Sequence, residues 1–182
     1  MSRYLVILIL CPAGAGKTTV SKLLTNKFYR SVFIETDKLR HMVKNGHHEP
    51  WIKAGQKELF LSTKNAVSLA NNFVKDKFNV IIEDVVTSKG RLDMYLKLLK
   101  SDKVKVILLL PSKSTLKLRD KLIIKENRMG KRALQLHDMF TKRLSGEKRW
   151  HVFDTSNEKP KATLERIWEI IIKKNLEALP PS

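Results

Sequence analysis

Short, continuously apolar runs alternate along the chain with longer stretches in which apolar residues recur every three or four positions. Tyr4–Leu10 (YLVILIL) is the first such run, the pattern of a strand buried on both faces. From Lys17 the period lengthens, and Val20, Leu23, Leu24 and Phe28 share one helix face. Ser31–Glu35 predicts a second strand, Asp37–Lys44 a short helix, and Gly46–Pro50 (GHHEP) an interruption. A long helix is predicted over Trp51–Lys75, with Leu59, Ala66, Val67, Ala70, Phe73 and Val74 inward. Phe78–Ile82 predicts a third strand closing on Glu83 and Asp84, followed by a helix over Arg91–Leu99. Val104–Leu110 (VKVILLL) is the fourth strand, ended by Pro111. Helices are predicted over Thr115–Ile124 and Ala133–Leu144, on either side of the basic stretch Lys125–Arg132 (KENRMGKR). His151–Phe153 reads as a fifth strand and Thr163–Asn175 as a last helix burying Leu164, Ile167, Trp168 and Ile171. Strands alternating with helices specify an α/β fold with a parallel sheet covered on both faces.

Composition narrows the class. The chain has 182 residues, 42% of them hydrophobic, which suits one domain over residues 1–178 with a frayed tail at 179–182 (LPPS). With only 7 Gly and 6 Pro among regularly spaced apolar runs, disorder is excluded despite a net charge of +18. The single Cys excludes a disulfide framework and a cysteine zinc cage. No apolar run is long enough to span a bilayer, and the first, preceded by Arg3, leads into a glycine-rich motif without a cleavage site. The chain therefore reads as a soluble cytoplasmic protein without a membrane partner, monomeric or homodimeric. The basic excess is spread, with 14 Lys+Arg against 7 acids in residues 1–90 and 22 against 11 in 91–182. Lysine supplies 26 of the 36 cations, and lysine is the weaker residue for bidentate phosphate recognition. A nucleic-acid partner is thus one reading of the charge, and lysine-rich amino-acid usage is the other.

The chemistry is concentrated at strand exits. After the first strand comes Cys11-Pro-Ala-Gly-Ala-Gly-Lys-Thr18, the P-loop spacing G-x-x-x-x-G-K-[ST] with Cys11 in place of the first glycine. Gly14 and Gly16 allow successive backbone N–H groups to line one concavity, and the following helix adds the positive end of its dipole. Ala13, Gly14, Ala15, Gly16, Lys17, Thr18 and Thr19 are accordingly the candidate nucleotide-binding residues. Lys17 would reach the β- and γ-phosphates, Thr18 would ligate Mg²⁺, and Thr19 would meet the α-phosphate. Cys11 reads as a small buried hydrophobe rather than a reactive thiol.

Asp37 follows the second strand, where it can accept a proton from an attacking hydroxyl or simply cap a helix over Lys38–Val43; both readings stay open. Arg40, one turn later, can clamp an anionic substrate. Of Glu83 and Asp84 only one can face the cleft, because side chains alternate along a strand, and Asp84 is preferred as the Mg²⁺-side acid. The basic segment carrying Arg119, Arg128, Lys131 and Arg132 reads as a lid over about 124–133 that neutralises transferring phosphate, or as a solvated face. His41, His47 and His48 lack a metal-binding helical spacing and read as loop residues near the substrate. Trp51 either stacks on a substrate ring or packs in the core.

CPAGAGKTT, ETDKLRHMV, VIIEDVVT and LLLPS, in this order and spacing, resemble the small P-loop kinases of the nucleoside-monophosphate-kinase-like group. The chloramphenicol-phosphotransferase-like and zeta-toxin-like ATPases are the nearest match within it. The resemblance implies a three-layer P-loop NTPase fold with a five-stranded parallel sheet, the P-loop strand lying between the third and fourth. It also implies ATP and Mg²⁺ as cofactors and transfer of the γ-phosphate to a hydroxyl or phosphate of a small molecule. Carried over, Asp37 and Arg40 lie on the substrate side, Asp84 on the metal side as well as the substrate side, and Arg119, Arg128 and Arg132 in the lid. Lys17, Asp37, Arg128 and Arg132 are then the catalytic candidates, with Arg119 on the nucleotide. The alternatives are an RNA or polynucleotide 5′-hydroxyl kinase and an ATP-regulated nucleic-acid-binding protein.

Overall fold

The computed structural model describes residues 4–123, 125, 128–144 and 147–174. Ile124, Glu126, Asn127 and Asn175, within the expected lid and last helix, lie outside the described residues, as does the tail at 179–182. Five strands form one parallel sheet: β1 (Val6–Leu10), β2 (Ser31–Glu35), β3 (Asn79–Asp84), β4 (Val104–Leu109) and β5 (Trp150–Phe153). Their order is β2-β3-β1-β4-β5, so the strand preceding the P-loop lies between the third and fourth. Seven helices connect and cover them among the described residues: α1 (Lys17–Thr25), α2 (Thr36–Arg40), α3 (Lys53–Lys75), α4 (Lys89–Leu98), α5 (Lys113–Leu122), α6 (Lys131–Leu144) and α7 (Pro160–Lys174). None of these helices is long and apolar enough to cross a membrane.

The alternation along the strands sorts the core into two layers. Even positions of β1, β3 and β4, such as Leu8, Ile82 and Val106, pack under α3, α4 and Phe140 of α6. Odd positions, such as Ile7, Ile81 and Ile107, pack under α1, α5 and α7. Because both faces are covered, all five residues of β1 and all six of β3 are buried, which explains the unbroken apolar run of β1 and the Val80–Ile82 core of β3.

Helix boundaries differ from the periodic reading where capping decides them. Ser88 accepts a hydrogen bond from the Arg91 backbone N–H and Ser112 accepts one from that of Thr115, so α4 and α5 begin two residues earlier than the apolar pattern indicates. Pro160 opens α7, its fixed φ and missing N–H suiting the first helical position. The helix expected over Asp37–Lys44 stops at Arg40, and α3 begins at Lys53, which leaves Trp51 outside it. The first turn of α3 presses on the preceding loop: a Cβ on Gly55 would lie 1.9 Å from the Glu49 carbonyl oxygen.

Gly55→Ala should therefore displace the 48–49 backbone and lower stability by about 1–3 kcal/mol, measured by urea unfolding. An unchanged midpoint would show that this loop yields freely.

Candidate active site

Two glycines make the loop after β1. Gly14 and Gly16 have φ of +81° and +93°, values that disfavour any side chain. Cys11 is outside the left-handed region and completely buried, so the turn needs no glycine there. Gly16 caps α1 without a side-chain hydrogen bond, and the first turn of α1 carries no acid. Its backbone N–H groups thus remain open to an anion, reinforced by the helix dipole. Burial pushes the Cys11 thiol up to about 12 against the opposing charge of Lys17, so at neutral pH it is an uncharged core residue.

Lys17 and Thr18 start α1 at the carboxyl ends of the strands. Thr18 donates its hydroxyl proton to Glu83 Oε1 at 3.0 Å. Burial acts against the charge on Lys17, yet the surrounding groups hold its pKa above the ordinary lysine value. With Cys11 neutral, Glu83 and Asp37 are its principal anionic neighbours. Burial raises the pKa of Glu83, opposed by Lys17 and the Thr18 hydrogen bond. Glu83 Oε2 is buried with no hydrogen-bond partner among the described residues. Asp37, exposed in the first turn of α2, is close enough for its charge to act on both Lys17 and Glu83.

The preference for Asp84 over Glu83 is corrected by the alternation itself. Glu83 is an odd position facing α1, whereas Asp84 is even and faces α3 and α4. Its Oδ2 accepts from Arg91 Nη2 at 2.5 Å and from the Tyr95 hydroxyl at 2.7 Å, and its Oδ1 accepts from the Val85 N–H at 2.7 Å. Arg91 also donates to Thr63 Oγ1 and to the Val85 carbonyl, both at 3.0 Å. Because the Tyr95 proton goes to Asp84, Thr36 donates to the Tyr95 oxygen at 3.3 Å. The sequence reading missed Arg91, Tyr95 and Thr36. A signal existed: Arg91 lies on the same α4 stripe as Tyr95 and Leu99, one charged residue on an inward face.

Of the basic candidates, Arg119 meets the P-loop. It donates to the Ala15 carbonyl at 3.2 Å and to the Thr155 carbonyl at 2.7 Å. Beside it lies a cavity of about 310 Å³ lined by Ala15, Gly16, Val20, Arg119 and Thr155. Arg128 instead donates to the Ile123 and Lys121 carbonyls across the end of α5. Arg132 donates to Gln135 and lies 5.6 Å from the Trp51 ring, which is 61% exposed rather than in the core. The hydrogen bonds of both arginines among the described residues go to partners other than the P-loop. Arg40 donates to His47 Nε2 at 3.1 Å and His41 Nε2 at 3.0 Å. A guanidinium only donates, so both ring nitrogens must accept. His47 and His48 turn their Nδ1 atoms to Glu58, and no metal-holding His, Cys, Asp or Glu cluster exists among the described residues. Thr19 is exposed, and Ala13 is half-buried in the loop.

A family model described as an AAA domain (AAA_33) matches residues 6–145, most of the chain. The chain belongs to this AAA-domain family. No curated protein matches the sequence. Among solved structures the AAA domain superposes on thymidylate kinase from Candida albicans, with a TM-score of 0.73 and 15% identity over 100% of this chain and 97% of that one. A sugar kinase from Janibacter sp. HTCC2649 gives 0.71 and 15% over 97% and 96%. The tunicamycin resistance protein of Deinococcus radiodurans gives 0.70 and 16% over 98% and 99%. At such identities the likeness is one of fold: this AAA domain has the fold of these kinases, a five-stranded parallel sheet flanked by helices.

Two measurements follow. Arg91→Met leaves Asp84 buried without its cation and should lower stability by about 3–5 kcal/mol in urea unfolding. Glu83→Gln should raise stability at neutral pH. The folded state holds the Glu83 proton more tightly than the unfolded chain does, so its contribution is present at low pH and lost as pH rises through the raised pKa. The gap between variant and wild type should therefore close on acidification; a gap that widens would refute the assignment.

Proposed function

We propose that this AAA domain is a Mg²⁺-dependent phosphotransferase that moves the γ-phosphate of ATP to a small-molecule acceptor. The observation that carries the reading is the convergence of Lys17, the Thr18–Glu83 hydrogen bond and Asp37 at the ends of three adjacent strands. A Mg²⁺ ion fits the residues present: Thr18 and Glu83 offer hard oxygen donors, and Glu83 Oε2 is buried without a partner among the described residues. Few protein ligands are needed, because Mg²⁺ keeps waters and substrate phosphate oxygens in its shell. Thr18 and Glu83 would hold the ion, which when bound offsets charge on the β- and γ-phosphate oxygens.

The rest is the work of the chain. The N–H groups of Gly14 and of Gly16 to Thr18, at the start of α1, cradle the phosphates, while that of Ala15 donates to the Pro12 carbonyl and closes the turn. Lys17 stays protonated and bridges toward the γ-phosphate. Arg119, fixed between the P-loop and Thr155, presents a planar cation beside the 310 Å³ cavity, where a nucleobase can stack. Asp37 orients the acceptor hydroxyl and takes its proton while the acceptor oxygen bonds to the γ-phosphorus and the bond to ADP breaks. Arg128 and Arg132 have no part in these steps. The kinases of the same fold support a phosphotransferase in general.

The test is transfer of label from γ-labelled ATP to three pools: 5′-hydroxyl RNA oligomers, nucleoside monophosphates and hydroxylated metabolites. Lys17→Ala should abolish transfer, and Asp37→Asn should lower kcat by about 10²–10⁴ with ATP affinity retained. Glu83→Gln should weaken ATP binding only when Mg²⁺ is present. Full activity in Lys17→Ala would overturn the reading.

A further inference from the structure

The outward face of α3 carries a stripe that the phosphotransferase reading does not use. Lys53, Lys57 and Lys64 recur at intervals of four and seven residues, so their side chains share one face of the helix. All three are exposed, and none forms an ion pair among the described residues. Glu58, the single acid of α3, is engaged by His47 and His48, so the helix sets no free counter-charge against these lysines. Phe60 and Leu61 lie between them, and with Gln56 the stripe lines a groove of about 440 Å³. From Lys53 to Lys64 the helix rises about 16 Å.

An aromatic platform stands at the head of the stripe. Trp51 precedes α3 by two residues, and with 61% of its surface exposed a face of the indole is open to a ligand. Its loop is held in place: the Gln56 side chain donates to the Pro50 carbonyl, and the Ile52 N–H donates to the Glu49 carbonyl at 3.1 Å. Arg132 of α6 lies 5.6 Å from the indole centroid, and Gln135 accepts from its Nη1 at 3.3 Å. A planar cation beside an exposed indole offers two flat surfaces against which an unpaired base stacks.

This combination selects a flexible polyanion that carries rings. Lysines act as point charges, so the stripe holds a phosphate backbone without reading its sequence. In a duplex each base is already stacked between its neighbours, and the Trp51 face gains nothing from it; a single strand brings free bases to the platform. A bilayer fits less well. The apolar face of α3, with Ala66, Val67, Ala70 and Val74, is committed to the core, which leaves Phe60 and Leu61 as the apolar residues between the lysines.

We propose that this surface binds single-stranded nucleic acid, with a base stacked on Trp51 beside Arg132 and the backbone running along Lys53, Lys57 and Lys64. The net charge of +18 then has a local use: general attraction brings the strand in, and one unopposed stripe with a stacking end retains it. None of the three lysines belongs to the nucleotide site, so the proposal does not rest on the phosphotransferase reading, and its test reads binding without ATP.

The probes are short, fluorescein-labelled oligouridylate and oligothymidylate, titrated with the full chain and followed by fluorescence anisotropy over a range of salt. Binding of either supports the proposal, and the tighter of the two identifies the sugar. The triple variant Lys53→Gln, Lys57→Gln, Lys64→Gln should lower the slope of log K against log salt by about 2, at roughly 0.7 per phosphate contact in a single strand, with ATP binding unchanged. A matched triple, Lys75→Gln, Lys97→Gln, Lys100→Gln, removes the same charge from exposed positions around the C-terminal ends of α3 and α4 and should leave the slope as it is. Trp51→Ala should weaken binding by about five- to 150-fold, and Trp51→Phe, which keeps a ring, by much less. Equal losses in the two triples would reduce the effect to general charge and overturn the proposal. So would affinity unmoved by Trp51→Ala, or tighter binding of a duplex of the same length. Phosphatidylserine vesicles that bind where the oligonucleotides do not, and are released by the first triple, would give the stripe to a membrane instead.

Discussion

The buried ion pair between Asp84 and Arg91 is the constraint on which the site depends. Two opposite charges removed from water recover their desolvation only when geometry and further hydrogen bonds are favourable. Here Asp84 accepts from Arg91, Tyr95 and a backbone N–H, while Arg91 spends its remaining donors on Thr63 and the Val85 carbonyl. Arg91 and Tyr95 come from α4, Thr63 from α3 and Thr36 from α2, so the network joins β3 to α3, α4 and the start of α2. The residues beside its anchors are the ones that face the P-loop: Glu83 precedes Asp84, and Asp37 follows Thr36. Internal electrostatics on one side of the sheet thereby hold Glu83 toward the other and fix the start of α2, which carries Asp37.

That division follows from the two-residue period of a strand. Consecutive acids at the end of β3 must point to opposite faces, and the sheet assigns one to structure and the other to the cleft. Glu83 faces the α1 layer with Ile81, and Asp84 faces the α3–α4 layer with Ile82. A single-residue shift in the pairing of β3 with β1, which sets Glu83 beside Ile9, would exchange their roles.

Much of this was legible in the sequence, and the exceptions share a cause. The apolar runs of β1, β3 and β4 and the glycines at 14 and 16 are local signals, and local signals gave the sheet and the phosphate loop. The choice between Glu83 and Asp84 is not local, because which strand face α1 covers depends on the crossover between β1 and β2. Arg128 and Arg132 read as site residues because basic charge near a glycine is compatible with a lid. Their partners, the last carbonyls of α5 and the side chains of Gln135 and Trp51, emerge only from three-dimensional packing. The apolar period places Trp51 at a helix start, whereas α3 begins two residues onward at Lys53, where Gly55 lies close against Glu49.

The distribution of charge supports the proposed cation-assisted phosphate site. The chain carries a net charge of +18, yet the ends of β2 and β3 hold four acids, Glu35, Asp37, Glu83 and Asp84. Lys38 pairs with Glu35 and Arg91 with Asp84, which leaves Lys17 facing both Glu83 and Asp37. A triphosphate placed on the Lys17 loop would add several negative charges to a site already near balance. The helix N-terminus contributes only about half a positive charge. The remaining deficit matches a divalent ion held by oxygen donors, and it explains why a buried carboxylate with a raised pKa persists there although it destabilises the empty fold. The outer lysines act at longer range, and on the proposed function they would draw the nucleotide toward the protein. Around the P-loop the excess is reversed, so that, on the proposed function, a nucleotide and a divalent cation would bind together.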